Sequence, residues 1–240
     1  MAPHLHILTI FPEFFEGPLG ISLLGKAIRD ERVHISCRNI RDKATDKHGT
    51  VDDTPYGGGS GMIMAPGPIV DSLESIDAEF GTQAHRISLT PSGTPLSQNH
   101  LKRWKSLEHI AIVCGRYEGI DARVGDHFVN EEISLGDFVL FGGEVAALAI
   151  IEGIVRLIPG VVGNEASVEE ESFSEDLLEY PQYTRPRVYR GHEVPEILLG
   201  GNHGAVRTWR QEQAKARTER YRADLLPSEA LTVTSTDKNT

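Results

Sequence analysis

Three glycine-bearing segments of the sequence combine tight turns with side chains that could hold a ligand. The first glycine loop, residues 55–62, reads PYGGGSGM and places four glycines in five positions. Ordering so many glycines is entropically costly, so this density predicts a backbone that a ligand approaches closely. A phosphate-binding loop needs a following Lys-Ser/Thr, which the sequence lacks here, so the alternative is a mobile surface loop.

The second glycine loop, residues 114–121, reads CGRYEGID and follows an apolar run that predicts a strand. Open parallel sheets bind ligands just beyond the carboxyl ends of their strands. Polar side chains that could converge there follow within a few residues: Arg116, Tyr117, Glu118 and Asp121. The alternative is that Arg116 and Glu118 only pair with each other at the surface.

The third glycine loop, residues 134–144, reads SLGDFVLFGGE and leads into an apolar helical segment. Its apolar centre suits backbone N–H and C=O groups that surround a flat heterocycle, with Gly142 and Gly143 at a helix N-terminus. Taken alone, this segment could equally be an internal strand and turn. Together with the other two loops it predicts a nucleotide-like pocket.

Alternating strand-like and helix-like segments predict the sheet that would position these loops. The predicted strands are residues 5–11, 33–37, 86–90 and 109–114, and the predicted helices are residues 21–29, 97–107, 120–128 and 145–158. The third strand should stop at Pro91, and Ser97 should cap the helix that follows. The alternation predicts an α/β fold, a mostly parallel sheet with helices on both faces.

The composition changes after residue 160, which divides the chain into a domain of residues 1–160 and a different C-terminal part. Residues 165–179 hold seven acids and no base, and we interpret residues 161–176 as an acidic linker. Residues 177–226 should form a small, mostly helical domain, and residues 227–240 a disordered tail. Its basic helix, residues 205–222, should start near Asn202 and His203 and could bind nucleic acid; a solvated helix surface is the alternative.

Whole-chain composition excludes several classes of protein. The 240 residues carry 24 basic and 35 acidic side chains, a net charge of −11 that argues against a generic polyanion binder. Cys37 and Cys114 are too few for a disulfide framework or a Cys-rich metal site. The apolar stretch at residues 145–158 is shorter than the ~20 residues of a membrane span. We therefore expect a cytoplasmic protein with no membrane partner.

The ordered set of segments resembles the bacterial tRNA (guanine-37-N1)-methyltransferases. The resemblance includes the three glycine loops and the strings TVDD at residues 50–53, PGV at 159–161, EAS at 165–167 and YTRP at 183–186, and it covers roughly residues 4–222. It implies a homodimeric SPOUT-class enzyme whose N-terminal domain contains a deep trefoil knot. It also implies that S-adenosyl-L-methionine binds in the knot and that the active site lies at the subunit interface.

Residue by residue, the resemblance implies a cofactor pocket held mainly by backbone. The implied pocket consists of Ser88, Leu89, Gly115, Tyr117, Glu118, Leu135, Gly136, Asp137, Phe138, Val139, Leu140, Gly142 and Gly143. The methyl donor is a sulfonium cation, so Glu118 or Asp137 could attract it without acting as a base. Mg²⁺ dependence is reported for relatives, so the resemblance leaves Mg²⁺ open as a second cofactor; no metal-ligand cluster is recognisable in the sequence, and we assign no metal-site residues.

The chemistry of guanine defines the two remaining roles. N1 carries a proton, and negative charge accumulates on O6 as that proton leaves, so methyl transfer needs a general base at N1 and a cation at O6. The resemblance assigns the O6 role to Arg156; the alternative is an arginine that only ends its helix. The family has Asp before the Ser-Phe of the linker, where this chain has Glu171. We predict that Glu171 is the base, although its longer side chain could slow the enzyme.

The implied substrate is tRNA with G at position 37, whose base flips into the pocket. The resemblance and the basic charge of the C-terminal part assign tRNA contacts to Tyr56, Gly57, Gly58, Gly59, Arg185, Arg207, Arg210 and Arg217. The rival interpretation is a non-catalytic tRNA-binding protein that retains the knotted fold. The intact glycine loops argue against it, because drift should erode them once no cofactor is held.

Overall fold

The computed structural model describes residues 2–163, 172–173 and 177–226 of the chain. It divides the chain into two units, Met1–Gly163 and Asn164–Thr240. Glu171, most of the predicted linker and the predicted disordered tail lie outside the described residues.

A parallel sheet forms the centre of the first unit. The strands of this unit are β1 His4–Thr9, β2 His34–Asn39, β3 Asp52–Asp53, β4 Ile63–Met64, β5 His85–Pro95, β6 His109–Cys114 and β7 Glu131–Ser134. Five of them form the sheet, in the order β2-β1-β6-β5-β7, and all neighbours in it are parallel. The two-residue strands β3 and β4 pair with each other as a separate antiparallel ribbon. The predicted parallel sheet is therefore present, and it includes β7, which periodicity did not reveal.

Helices pack on both faces of this sheet. They are α1 Glu16–Gly20, α2 Ser22–Arg29, α3 Pro66–Phe80, α4 Gln98–Trp104, α5 Ala122–Phe128 and α6 Glu144–Val155, with 3-10 turns at Pro12–Phe15 and Ile40–Lys43. Leu8 of β1 joins a buried cluster with Leu73 of α3 and Val124 of α5. The neighbouring Thr9 points to the opposite face, because side chains alternate along a strand, and it bonds to Glu144 of α6.

Two local predictions from the sequence are confirmed in this unit. Ser97 caps α4, and its side chain and that of His100 form a reciprocal capping box. The apolar segment that leads from the third glycine loop is the buried helix α6, in which Ile150, Ile151 and Ile154 are almost fully buried. None of the helices in the described part of the chain is long and apolar enough to cross a membrane.

The predicted end of the third strand at Pro91 is wrong. β5 continues to Pro95, and its register against β7 shifts between Leu89 and Thr94, which both lie opposite Ile133. Proline has no backbone N–H to donate to the ladder, so residues 90–93 leave the pairing and the strand resumes beyond them. The extra residues form a bulge at the carboxyl end of the sheet, beside the glycine loops.

The helix α3 was not predicted, although its signals are present in the sequence. Pro66 lies in the first turn, where a missing N–H costs nothing. Ile69, Leu73 and Ile76 recur at helical spacing and are all fully buried. Gly81 ends the helix in the left-handed conformation, with φ of +69°.

The second unit contains a long basic helix and a short β-ribbon. The helix α7 is His203–Tyr221, and the strands β8 Val188–Tyr189 and β9 His192–Glu193 pair antiparallel. As predicted, Asn202 begins α7: its side chain accepts a hydrogen bond from the Ala205 backbone N–H at 3.1 Å. The Leu178 backbone N–H donates to the buried Thr218 hydroxyl at 2.8 Å, which attaches the start of the described segment to α7.

Candidate functional site

The three glycine loops meet at the carboxyl end of the sheet. Residues at and just after the end of the first loop bond to the second: the Glu118 backbone N–H donates to the Met62 carbonyl at 3.0 Å, and the Met64 N–H donates to the Gly119 carbonyl at 2.9 Å. The second loop bonds to the third, since the Gly143 N–H donates to the Gly115 carbonyl at 3.0 Å. Backbone hydrogen bonds thus connect the three loops, although they are far apart in the sequence.

Most of the residues predicted for the cofactor pocket line one cleft between the second and third loops. The predicted residues that line it are Ser88, Leu89, Gly115, Tyr117, Glu118, Leu135, Phe138, Val139, Leu140, Gly142 and Gly143. Gly136 and Asp137 do not line it; Asp137 is exposed, and the Gly136 carbonyl accepts a hydrogen bond from Ser134 Oγ at 3.0 Å.

The cleft also has lining residues that the sequence analysis did not predict as pocket residues. They include Thr90, Pro91, Arg116, Glu132, Ser134 and Phe141. Thr90 and Pro91 belong to the bulge of β5, and the sequence had predicted that the strand ends there. Their position directly after Ser88 and Leu89 could have identified them as pocket residues, because ligands of parallel sheets lie beyond the strand ends.

The third loop presents an apolar and largely exposed wall to the cleft. Phe138 is 54% exposed, Val139 82% and Phe141 96%. The backbones of Val139 and Leu140 make no hydrogen bond with another described residue. A wall with apolar side chains and open peptide groups can cover a flat heterocycle and hydrogen-bond to its edges.

Arg116 pairs with Glu144 at the start of α6, so the alternative in which it pairs with Glu118 is wrong. Arg116 Nε donates to Glu144 Oε1 at 3.1 Å, and Arg116 Nη2 lies 2.9 Å from Oε2. The guanidinium also lies over the Phe11 ring, 4.7 Å from its centroid. Glu144 is 1% exposed and accepts a further hydrogen bond from Thr9 Oγ1 at 2.8 Å.

The Glu118 side chain of the second loop lies against Gly61, near the end of the first loop. A Cβ at Gly61 would collide with the Glu118 side chain, and Gly61 has φ of +85°, so this position requires glycine on both counts. The Glu118 carboxylate is exposed and lines the cleft. It is therefore available to a cationic ligand.

Asp121, predicted as a converging polar group, caps α5 instead. Its side chain accepts a hydrogen bond from the Arg123 backbone N–H at 3.0 Å and pairs with the Arg123 guanidinium at 2.7 Å. The hydrogen bond from the Arg123 side chain is the main cause that lowers the pKa of Asp121. Its carboxylate stabilises the helix start rather than facing the cleft.

The described part of one chain does not bring the two predicted catalytic residues to the cleft. Arg156 directly follows α6, where its backbone N–H donates to the Glu152 carbonyl at 3.0 Å. The 12 residues of α6 extend about 18 Å, so Arg156 lies at the far end of the helix from the cleft. Glu171 is outside the described residues.

The predicted tRNA contacts are exposed in both units. In the first unit, Tyr56 is fully exposed, and a Cβ at Gly57 or Gly58 would meet no atom within 4 Å. In the second unit, Arg185, Arg207 and Arg217 are exposed, whereas Arg210 is half-buried and stacks over the Tyr180 ring at 4.6 Å. Arg210 therefore has a packing role in addition to any ligand contact.

No group of His, Cys, Asp and Glu side chains in the described residues is placed to hold a metal ion. The features of the candidate site are its glycine loops, the exposed Glu118 carboxylate and the buried ion pair between Arg116 and Glu144.

Known proteins are similar to this sequence over almost its full length. Residues 4–228 match the family described as tRNA (Guanine-1)-methyltransferase TrmD. The chain is 52% identical over 227 residues to the tRNA (guanine-N(1)-)-methyltransferase of Gloeobacter violaceus, covering 94% of this chain and 99% of that protein. It is 48% identical over 233 residues to the protein of the same name from Alkaliphilus oremlandii, covering 95% and 94% of the two chains. The chain belongs to the tRNA (guanine-1)-methyltransferase family.

Proposed function

We propose that this tRNA (guanine-N1)-methyltransferase transfers a methyl group from S-adenosyl-L-methionine to N1 of guanine 37 in the anticodon loop of tRNA. One observation carries the proposal. The second and third glycine loops, far apart in the sequence, join backbone to backbone and line one cleft at the carboxyl end of a parallel sheet, and the end of the first loop bonds to the second. The rival function, a non-catalytic tRNA-binding protein, is not favoured, because residues 4–228, almost the whole chain, match methyltransferases.

The residues of the cleft fit this methyl donor. The open peptide groups of Val139 and Leu140 and the apolar side chains beside them suit its adenine ring. The exposed Glu118 carboxylate suits its sulfonium cation, whereas Asp137 lies outside the cleft lining and is the weaker candidate. When bound, S-adenosyl-L-methionine supplies an electrophilic methyl carbon.

Two residues of the chain would then act on guanine. Glu171 accepts the N1 proton, which makes the N1 lone pair nucleophilic, and the Arg156 guanidinium stabilises the negative charge that develops on O6. Arg156 lies about 18 Å along α6 from the cleft, so it cannot act in the cleft of its own chain in this arrangement.

We assign the completion of the site to a second copy of the chain. We place the active site at the interface of a homodimer, where one chain forms the cleft and its partner contributes a linker carboxylate. Exposed apolar side chains of the first unit support such an interface, since Ile21 is 65%, Leu23 50% and Phe141 96% exposed. The implied trefoil knot of residues 1–160 belongs to this proposal.

The C-terminal unit would hold the tRNA. The net charge of the chain is −11, yet Arg185, Arg207 and Arg217 are exposed in this unit and could contact phosphates. We propose that residues 177–226 bind the anticodon stem, that the linker of residues 161–176 connects them to the knotted domain, and that Tyr56, Gly57, Gly58 and Gly59 approach the flipped base. With a tRNA substrate, the expected location is the cytoplasm.

Methyl incorporation into defined transcripts tests this function. The purified full chain is incubated with methyl-tritiated S-adenosyl-L-methionine and tRNA transcripts that carry G or A at position 37, and the product nucleosides are identified after digestion. We expect N1-methylguanosine from the G37 transcript and no incorporation into the A37 transcript. Binding of the G37 transcript without methylation would support the rival function, and equal labelling of both transcripts would contradict the assignment of position 37.

A further inference from the structure

The carboxylate of Glu144 is the most deeply buried charged group at the candidate site, and the proposed chemistry does not use it. It lies at the first residue of α6 with 1% of its surface exposed. A carboxylate so far from water is tolerated only where charged or polar partners compensate for its lost hydration. Its partners therefore indicate what it holds in place.

Those partners belong to two segments, which Glu144 joins to the start of α6. Thr9 Oγ1, at the end of β1, donates to Oε1, and the Thr9 hydroxyl in turn accepts a hydrogen bond from the Phe11 backbone N–H at 3.0 Å. The Arg116 guanidinium, from the second glycine loop, pairs with both carboxylate oxygens. Glu144 thus connects the end of β1, the second glycine loop and the start of α6.

The third glycine loop fits around this ion pair with no spare room. A Cβ at Gly142 would collide with the Arg116 side chain and would lie 2.6 Å from Glu144 Oε2. Arg116 and Gly142 also form an isolated antiparallel bridge. The ion pair therefore sets the distance between the second and third loops, which are the two walls of the cleft.

The second loop needs such support, because its turn contains an uncommon backbone conformation. Tyr117, next to Arg116, has φ of +58°, a value that few residues other than glycine adopt. Conformations of this kind persist only where surrounding contacts hold them. Arg116, anchored by Glu144 and stacked on Phe11, supplies those contacts on one side of Tyr117.

We propose that Glu144 is a positioning residue for S-adenosyl-L-methionine: by holding Arg116 it fixes the two walls of the cleft in the arrangement that binds the methyl donor. This role rests on the proposed function. Glu144 touches neither the donor nor guanine, so its loss should affect donor affinity far more than the methyl-transfer step.

Glu144→Gln tests the role, because it removes the charge and keeps the shape of the side chain. We expect the Kd for S-adenosyl-L-methionine, measured by equilibrium dialysis on the full chain, and its KM to rise at least tenfold. The kcat at saturating donor should fall less than threefold. Glu144→Asp, which restores the charge on a shorter side chain, should recover part of the affinity.

The matched control is Asp77→Asn, which breaks another half-buried ion pair of the same unit, between Asp77 and Arg86. Neither residue lines the cleft. This variant should lower Tm as Glu144→Gln does but leave the KM for the donor within twofold of the wild type. If Glu144→Gln also keeps its KM within twofold while Tm falls, the residue is merely structural and the inference is overturned.

Two further variants keep the test decisive. Should Glu144→Gln fail to fold, Thr9→Val removes one hydrogen bond to the same carboxylate, and a two- to fourfold rise in KM is expected; an unchanged KM contradicts the role.

Gly142→Ala should raise the Kd for S-adenosyl-L-methionine as Glu144→Gln does. The double variant Glu144→Gln/Gly142→Ala should bind the donor no more weakly than the weaker-binding of the two single variants. Additive losses of donor affinity would count against a shared mechanism. If the wild-type chain neither binds nor uses S-adenosyl-L-methionine, the proposed function and this inference fall together; a normal wild type with unaffected variants overturns the inference alone.

Discussion

The two ends of the parallel sheet deal with buried polar groups in opposite ways. At the carboxyl end, the buried Glu144 carboxylate is held in an ion pair with Arg116 beside the cleft. At the amino end, the imidazole ring of His6 is 2% exposed and lies beside the rings of His4 and His109, where β1 and β6 begin. One sheet thus keeps a compensated charge at its candidate site, whereas at its other end burial lowers the pKa of His6 and favours the neutral ring.

The rings of His4, His6, His34 and His109 form one stacked cluster at the amino end, and Phe80 packs against it. The His4 ring centroid lies 4.6 Å from that of His34 and 4.9 Å from that of His109, and Phe80 packs 4.9 Å from His6. Burial is the main cause that lowers the pKa of His6 to about 4, and the nearby positive or titrating groups Arg38, His109 and His4 lower it further, while Glu79 opposes them. The His6 ring therefore stays neutral at pH values where a free histidine takes up a proton.

The largest effect should follow from adding one methyl group at the carboxyl end. A Cβ at Gly143 would lie 2.8 Å from Cys114 Cα and 3.2 Å from the Gly115 backbone nitrogen, which are parts of the backbone that cannot rotate away. Gly143 has φ of −78°, so Gly143→Ala changes the packing without straining the backbone. We expect at least a hundredfold loss of affinity for S-adenosyl-L-methionine, measured by equilibrium dialysis.

Gly67→Ala is the matched control, because a Cβ there would meet no atom within 4 Å. It should bind the donor as the wild type does. Normal donor affinity in Gly143→Ala would contradict the tight joining of the second and third loops.

The amino end should make stability depend on pH. His6 has a folded-state pKa of about 4, below its value of 6.5 in an unfolded chain, so between these values only the unfolded chain binds the proton. The free energy of unfolding should therefore be level above pH 6.5 and fall by up to about 1.4 kcal/mol per pH unit as the pH drops towards 4. Denaturant titrations across this range measure the slope.

His6→Leu should remove most of that slope, and His127→Gln, which changes an exposed ring of the same unit, should leave it unchanged. An identical slope in His6→Leu and the wild type would show that the stacked cluster does not carry the pH dependence.

A smaller loss is expected where the sequence suggested a ligand and the structure shows a helix cap. Asp121→Ala removes the acceptor for the Arg123 backbone N–H and should cost about 1 kcal/mol of stability. The KM for the donor should change less than twofold. Asp126→Ala, an exposed residue of the same helix, is the control, and a donor KM that rises only in Asp121→Ala would return Asp121 to the binding site.

The smallest effect is expected on the kinetic constants of a variant changed at the amino end. At pH 7.5 the His6 ring is neutral in the wild type, so His6→Leu should leave kcat and both KM values within twofold. A larger change would mean that the two ends of the sheet are coupled.

The sequence could predict what depends on neighbouring residues. Turn chemistry identified all three glycine loops, and capping preference identified Ser97 and Asn202. The helical spacing of Ile69, Leu73 and Ile76 is an equally local signal, so α3 belongs to the part of the fold that neighbouring residues determine.

The partners of Glu144 could not be predicted in this way. Thr9 precedes it by 135 residues and Arg116 by 28, and only the order of strands in the sheet brings them together. The same holds for the continuation of β5 beyond Pro91, which depends on pairing with β7. Local patterns predict elements and caps, whereas contacts between distant segments follow from topology.

A crystal structure of the full chain with S-adenosyl-L-homocysteine tests the central claim most directly. It should show the adenosyl group against residues 135–140, with Glu118 at the sulfur end and the Arg116–Glu144 ion pair intact behind the cleft. Adenosyl density at any other place on the molecule, with the cleft between the second and third glycine loops empty, would contradict the account.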